Sequence, residues 1–369
     1  MRLVIAAAVA LAVPAAAATT ATSQMVGPGN KALVGPPSGP REPPAPCLAD
    51  AQIEPAQRTA LTEAATAFAE DLLADRASAA YEKMSQPGRT GLSLDELAKA
   101  IQFLGSLAPF TGLRGEHTFL VTEPGAAQAA ICGSRDRPSG LYLVHITPAV
   151  QQGGQQAYVF LAAASRNNGW AITERLQPEG RHWNVTTFSI NPSAVLTRGP
   201  EDLSALAHAE GRAGHDFNAM ILLFAAYNVS QRGPDVRWGI QQELEVESQA
   251  LKPPQELAGK PPLIWTYGSS RFSVENVSLV GAGGSYVLML QHRLAQWPGE
   301  KAVDQQNHVL IDGFLKSHPE VRSVFDTVVA RAINANGSLG FGTVYDFKEG
   351  YLKPDAVAPA SAATPPAAP

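Results

Sequence analysis

Cysteine is almost absent from this chain: Cys47 and Cys132 are the only two in 369 residues. That excludes a disulfide-dense scaffold, and since neither has another cysteine or a histidine at ligand spacing, no metal site and no cofactor is expected from them. Runs of lysine or arginine are missing as well. With a net charge of −5 and a pI near 5.9, the chain lacks the basic footprint that nucleic acid demands, so no nucleic-acid partner is expected. No Gly-x-Ser-x-Gly elbow, Ser-x-x-Lys pair, His-Glu-x-x-His or Gly-x-x-x-x-Gly-Lys loop occurs, which removes the commonest hydrolase, zincin and nucleotide-binding signatures. Beyond Val13 no segment is apolar enough to span a bilayer, a task that takes about 20 consecutive apolar residues.

What is present begins at the N-terminus. Arg2 supplies a short positive region, Leu3 to Val13 is apolar, Pro14 breaks the run, and Ala16 and Ala18 form the small-x-small pattern read by signal peptidase. Residues 1–18 therefore read as a cleaved signal peptide, and the mature chain as a periplasmic or secreted protein with no membrane span. In an oxidising compartment the even cysteine pair reads as one Cys47–Cys132 disulfide. A loop of that length would contribute about 4 to 5 kcal/mol through reduced unfolded-state entropy.

The composition, 45% hydrophobic and 17% charged, is that of a globular protein with a full core. Residues 19–53 are rich in Pro, Gly and Ala and read as an extended linker; residues 354–369 have the same character and read as a disordered tail. The ordered remainder is long enough for two domains, which we place at 54–190 and 191–353 with the boundary near Asn191 and Pro192.

In the first of these, Leu61, Ala64, Ala65, Phe68, Leu72 and Leu73 recur at helical spacing, a short helix is expected over 77–84, and Ser93 with Glu96 forms a capping box opening a helix through Ile101 and Leu104. After Gly115 the period becomes strand-like over 117–121, 126–132, 141–146, 157–162, 170–176 and 183–190. Turns fall at 151–156 and at Arg166 to Gly169. Helices followed by consecutive short strands make an α+β domain with a curved antiparallel sheet. This order, the phrase Ala67 to Leu73 leading to Ala80 and Tyr81, the Leu94 to Leu97 helix and the closing hairpin at Asn168, Gly169 and Trp170 resemble the NTF2-like cone fold, and its small secreted members of unknown function in particular. In that superfamily the sheet wraps a pocket used for catalysis by some members and for binding or dimerisation by others, so the resemblance implies a pocket and allows a homodimer.

The second domain also reads as α+β. A helical hairpin is expected from Leu203 to Tyr227, a third helix over 235–251, and two strands, 271–280 and 286–294, around Gly281 to Gly284. Helices follow over 303–316 and 319–335, with a last strand at 339–347. The Gly281, Gly283 and Gly284 cluster leads into a strand, so no helix N-terminus would meet a phosphate there.

Alternation puts Leu141, Leu143 and His145 on one face of a strand and Tyr158 and Phe160 on one face of the next. His145, Tyr158 and Phe160 are thus the candidate ligand-binding residues, with plain core as the alternative. Asp304, His308 and Asp312 lie four apart on one helical stripe, able to bind a divalent ion or orient a base if another ligand arrived, and otherwise a solvated face. Four Asn-x-Ser/Thr triplets, at Asn184, Asn228, Asn276 and Asn336, would matter only in a eukaryotic secretory pathway, and the five tryptophans show no repeated spacing. The expected function is an exported, non-enzymatic protein binding a small molecule or an envelope protein. The competing expectation is a hydrolase or isomerase using the pocket, with His145 and Glu116 or Glu174 as acid and base.

Overall fold

The computed structural model describes residues 11–12, 47–107, 109–121, 129–133, 141–145 and 154–352. It is α+β, and its N-terminal half is a stack of helices on an antiparallel sheet. Helix α1 spans Pro55–Leu73 behind Glu54, whose carboxylate accepts from the Gln57 amide; α2 spans Ala77–Glu82, α3 Gln86–Gly91 and α4 Leu94–Leu107. The capping box forms: the Glu96 amide donates to Ser93 Oγ, and the Ser93 amide donates back to the Glu96 carboxylate. All four helices come before the main strands, as the periodicity predicts.

Seven strands follow the chain here: β1 at Leu11–Ala12, β2 at Cys47–Ala49, β3 at Phe110–Val121, β4 at Ala129–Gly133, β5 at Leu141–His145, β6 at Gln156–Ser165 and β7 at Asn168–Glu179. Together with β8 at His182–Ala194, all of these but β4 and β5 build a six-stranded sheet in the order β1-β8-β7-β6-β3-β2, antiparallel throughout. Cys47–Ala49 lies inside the stretch expected as linker and yet is strand β2: it pairs with the end of β3, and Cys47 is bonded to Cys132 of β4 with a Cα separation of 5.3 Å. The β6–β7 turn places Arg166 and Asn167 at φ of 49° and 69°, the left-handed pair that a tight hairpin requires. Of the remaining expectations, the 151–156 turn lies largely outside the described residues, as do most of the expected signal peptide and the tail.

The two faces of this sheet bury different things. Toward α1–α4 stand Leu120, Val159, Leu161, Ile172, Leu176, Phe188 and Ile190, packed with Leu61, Phe68, Leu72, Leu97 and Ile101. The other face carries Phe119, Val121, Tyr158 and Phe160, and these belong to a cluster that continues into the second half of the chain. There α5 (Pro200–Arg212) and α6 (Asp216–Ser230) form the expected hairpin. Helix α6 is apolar on every side and is buried accordingly, between the N-terminal sheet and a second one.

That second sheet runs β10-β11-β12-β13-β14-β15: Leu263–Tyr267, Ser270–Ala282, Ser285–Arg293, Thr327–Ile333, Gly340–Asp346 and Gly350–Tyr351. It is antiparallel except for β12 and β13, which run parallel and are joined across α8 (Glu300–Ser317). Two expected helices are corrected here. Residues 319–335 form a single 3-10 turn, Pro319–Ser323, followed by strand β13, whose Val328, Val329, Ala330 and Ala332 are buried on both faces. An apolar run broken only by Arg331 has no period that separates a buried strand from a helix, and its β-branched residues suit the strand. Likewise 235–251 begins as strand β9 (Val236–Trp238), and only Gly239–Ala250 is helix, α7. Strand β9 pairs with β5, so the β4-β5 hairpin of the N-terminal half forms a three-stranded sheet with the second half. Core and sheet therefore run continuously across Asn191 and Pro192. Among the described residues no helix is long and apolar enough to cross a membrane.

Candidate functional site

The face of the N-terminal sheet turned away from α1–α4 gathers most of the residues that sequence reasoning singled out. Tyr158 and Phe160 are both there, each 1% exposed. Phe160 meets Phe119 and Tyr142 edge-on, with ring centroids 5.2 Å apart in each case, and Tyr142 stacks on Trp238 at 5.4 Å. The Arg232 guanidinium sits 4.8 Å over Trp238 and donates to the carbonyls of Val229 and Gln231. These rings fill the space where a pocket would be and join the two halves of the chain by offset and edge contacts. Burial pushes the Tyr142 and Tyr158 hydroxyls far above their ordinary range, so both stay protonated donors. The backbone of His145 pairs with Ala129 in the β4-β5 hairpin; its side chain lies outside what is described.

Beyond the aromatic patch the same face turns polar. The Tyr158 hydroxyl donates to Gln156 Oε1 at 3.0 Å. Arg175, directly opposite Tyr158, donates from Nη1 to Asp235 Oδ2 at 3.1 Å, and Ser189 donates to the Arg232 carbonyl at 3.3 Å. Gln156, Thr173, Arg175, Ser189 and Asn191 are all buried. Gln156 Nε2, Thr173 Oγ1 and Asn191 Nδ2 have no hydrogen-bond partner, a costly state for groups removed from water. Sequence reasoning missed Gln156, Thr173, Arg175 and Asp235. The signal available for the first three was their alternation with apolar residues; Asp235 had none, since it arrives from the far end of α6.

Glu174 is on the opposite face, between Val159 and Phe188 of the neighbouring strands. It is 0% exposed, neither carboxylate oxygen has a hydrogen-bond partner, and burial alone holds its pKa well above the usual glutamate range. Glu116 is exposed at the start of the sheet and 3.5 Å from Arg114. The structure thus puts Glu174 on the wall opposite Tyr158 and Phe160, while the Glu116 charge is close enough to act on Tyr142 and Arg232.

Along the Asp304, His308 and Asp312 stripe, Asp304 and His308 are half-buried and Asp312 is exposed. Asp304 Oδ1 accepts from Thr343 at 2.6 Å, Asp312 accepts from the Tyr351 hydroxyl at 2.7 Å, and His308 Nδ1 lies 3.7 Å from Asp304. Each carboxylate already has a partner, and among the described residues no three His, Cys, Asp or Glu side chains could share a metal ion. Glu210 Oε2 accepts from His215, Asn218 and Ser323. Its charge ties the α5–α6 turn to the 3-10 turn through Ser323, whose single hydroxyl proton has Glu210 Oε2 and the Glu320 carbonyl, each 2.8 Å away, as alternative acceptors. Gly283 and Gly284 take φ of 61° and 86° in the β11–β12 hairpin, leading strand to strand. A shallow cleft between α3 and β8, lined by Met84, Gly88, Leu92, Thr186 and Phe188 among others, has a volume of only about 10 Å³.

What this geometry offers chemically is recognition, through stacked rings, buried donors and an Arg–Asp pair; at the edge of the cluster the His117 ring touches Phe119, Tyr142 and Phe160, with its Nδ1 3.0 Å from Asp50. Comparison with family models, curated proteins and solved structures finds no match to this chain.

Proposed function

We propose that this protein is exported and non-enzymatic, and that it works by binding a protein partner in the cell envelope. The N-terminal signal pattern and the Cys47–Cys132 bond support the compartment. The helices-then-sheet order supports an NTF2-like unit as its first half. One observation carries the choice of a protein over a small molecule: the sheet face that would line a pocket is packed by the chain's own α6 and by Tyr142 and Trp238, leaving Phe119, Tyr158 and Phe160 each 1% exposed. The surface retains apolar side chains available for contact, led by Val246 on α7, 68% exposed, and Ile264 on the edge strand β10, 49% exposed.

The test starts from mature protein purified out of its native envelope. Denatured and examined by mass spectrometry and elemental analysis, it should release no stoichiometric small molecule or metal. A photo-crosslinkable residue at Val246 should then capture one envelope protein that the same residue at Gly180 does not. A stoichiometric ligand released on denaturation would overturn the reading and move attention to the hydrolase or isomerase alternative.

A further inference from the structure

The polar half of the covered sheet face is closed by a short strap. After α6 the chain passes through Gln231 to Asp235 over β7 and β8 before pairing as β9. Gly233 takes a φ of +97°, which side chains rarely adopt, and a Cβ built there would come within 2.4 Å of Ser189 Oγ. Pro234 next to it is exposed, and the Asp235 side chain remains 24% exposed. Directly beneath, the Arg175 side chain is only 6% exposed and meets the Asp235 carboxylate at 3.1 Å. The strap is therefore a surface segment whose single carboxylate reaches a buried guanidinium.

Around that guanidinium the sheet is rich in donors with spare capacity. Thr173 lies two positions along β7 on the same face, and Ser189 stands across from it on β8. Asn191 Nδ2 is unpartnered one step further on, and Gln156 Nε2 is unpartnered beside the Tyr158 hydroxyl on β6. A purely structural ion pair needs its own two partners satisfied; it does not call for uncommitted buried amides at neighbouring positions, each of which lowers stability unless something accepts from it.

From these observations we infer that Arg175 and the donors beside it form a carboxylate-binding site, and that Asp235 occupies it as an internal stand-in when the strap is closed. The ligand class is a small organic carboxylate, one of whose oxygens takes the position of Asp235 Oδ2 while the other reaches Thr173 or Gln156. Arg175 supplies the charge-assisted contact. Opening is confined to Gly233, Pro234 and Asp235, while Arg232 keeps its place over Trp238 and α6 does not move. The site goes beyond the protein-binding reading and does not depend on it: it lies at the polar end of the covered face, away from Val246 and Ile264, is closed by Asp235 in the unaltered protein, and is tested in purified protein.

The experiment uses the full exported chain with acetate and succinate as probes and chloride at matched ionic strength as the control. Asp235→Ala removes the stand-in. Calorimetric titration should show succinate binding at least tenfold tighter than to the unaltered protein, and the Asp235→Ala, Arg175→Met double variant should lose it. Gly233→Ala lifts the strap with both charges retained, and should give an intermediate gain. If Asp235→Ala folds poorly, acetate but not chloride should restore its thermal transition. The inference is overturned if succinate binding is unchanged by Asp235→Ala, if it persists without Arg175, or if acetate restores the fold no better than chloride.

Discussion

The two faces of the N-terminal sheet are made by the same strands and could hardly differ more. The face under α1–α4 is an apolar core of aliphatic side chains and Phe68 and Phe188, with rings 5.3 Å apart, in which Glu174 is the one unpartnered acid. The face under α6 and the strap is aromatic at one end and polar at the other. Apolar packing is non-directional and closes completely; a polar seam closes only where each donor meets an acceptor, so it retains unmet groups. The first face therefore reads as a foundation, and the second as the part of the sheet still able to exchange partners.

The sharpest way to break the comparison is to cut the covalent link that holds the second face closed. Cys47→Ser with Cys132→Ser frees an 85-residue loop and should lower unfolding stability by about 4 to 5 kcal/mol, read as a shift in the urea midpoint; a loss below about 1 kcal/mol would mean the β4-β5-β9 sheet holds without it. Large-to-small changes on the two faces come next. Phe68→Ala on the helix side and Phe160→Ala on the aromatic side should each cost about 3 to 5 kcal/mol. If the faces are independent, the double variant should lose the sum of the two, and a marked shortfall in denaturant unfolding would show that they collapse together.

Glu174 separates the faces by pH. The folded state keeps its carboxyl protonated while the unfolded chain releases that proton at the ordinary glutamate pKa, so this group's own contribution to stability should be greatest in acid. It should fall as pH rises above that value, by at most ~1.4 kcal/mol per pH unit, until the raised folded-state pKa is passed. Glu174→Leu should flatten the dependence and add roughly 1 to 3 kcal/mol at neutral pH, measured by urea titration at pH 5 and pH 8; an unchanged slope would show that the carboxyl reaches water. The smallest effect is expected at Asp312→Asn, which keeps a partner for Tyr351 and should change stability by less than about 1 kcal/mol. Divalent cations should leave its thermal midpoint unmoved, and a metal-dependent shift in the unaltered protein that this substitution abolishes would revive the stripe as a binding site.

Much of this architecture was legible along the chain. Ser93 and Glu96 announced the start of α4, the Arg166 to Gly169 turn announced the β6–β7 hairpin, and the compartment argument paired the cysteines, because each of these depends on local backbone chemistry or on a single pairing. Strand β13 was not legible: Val328 to Ile333 is apolar on both faces apart from Arg331, and pairing with the parallel β12 is what makes it a strand. The filling of the expected pocket was hidden for a related reason. Leu222, Leu223 and Ala226 mark α6 as buried, yet nothing in their order says against which surface.

By itself, then, the sequence determined the element types over most of the described chain, the α+β class and the disulfide. Those follow from short-range periodicity and from the valence of two cysteines. Only the tertiary structure decided that α6 covers the aromatic face, that Glu174 is sealed without a partner, and that Asp235 reaches Arg175. Each of these is a contact between segments distant along the chain, set by which surfaces exclude water from one another, and no local pattern records it.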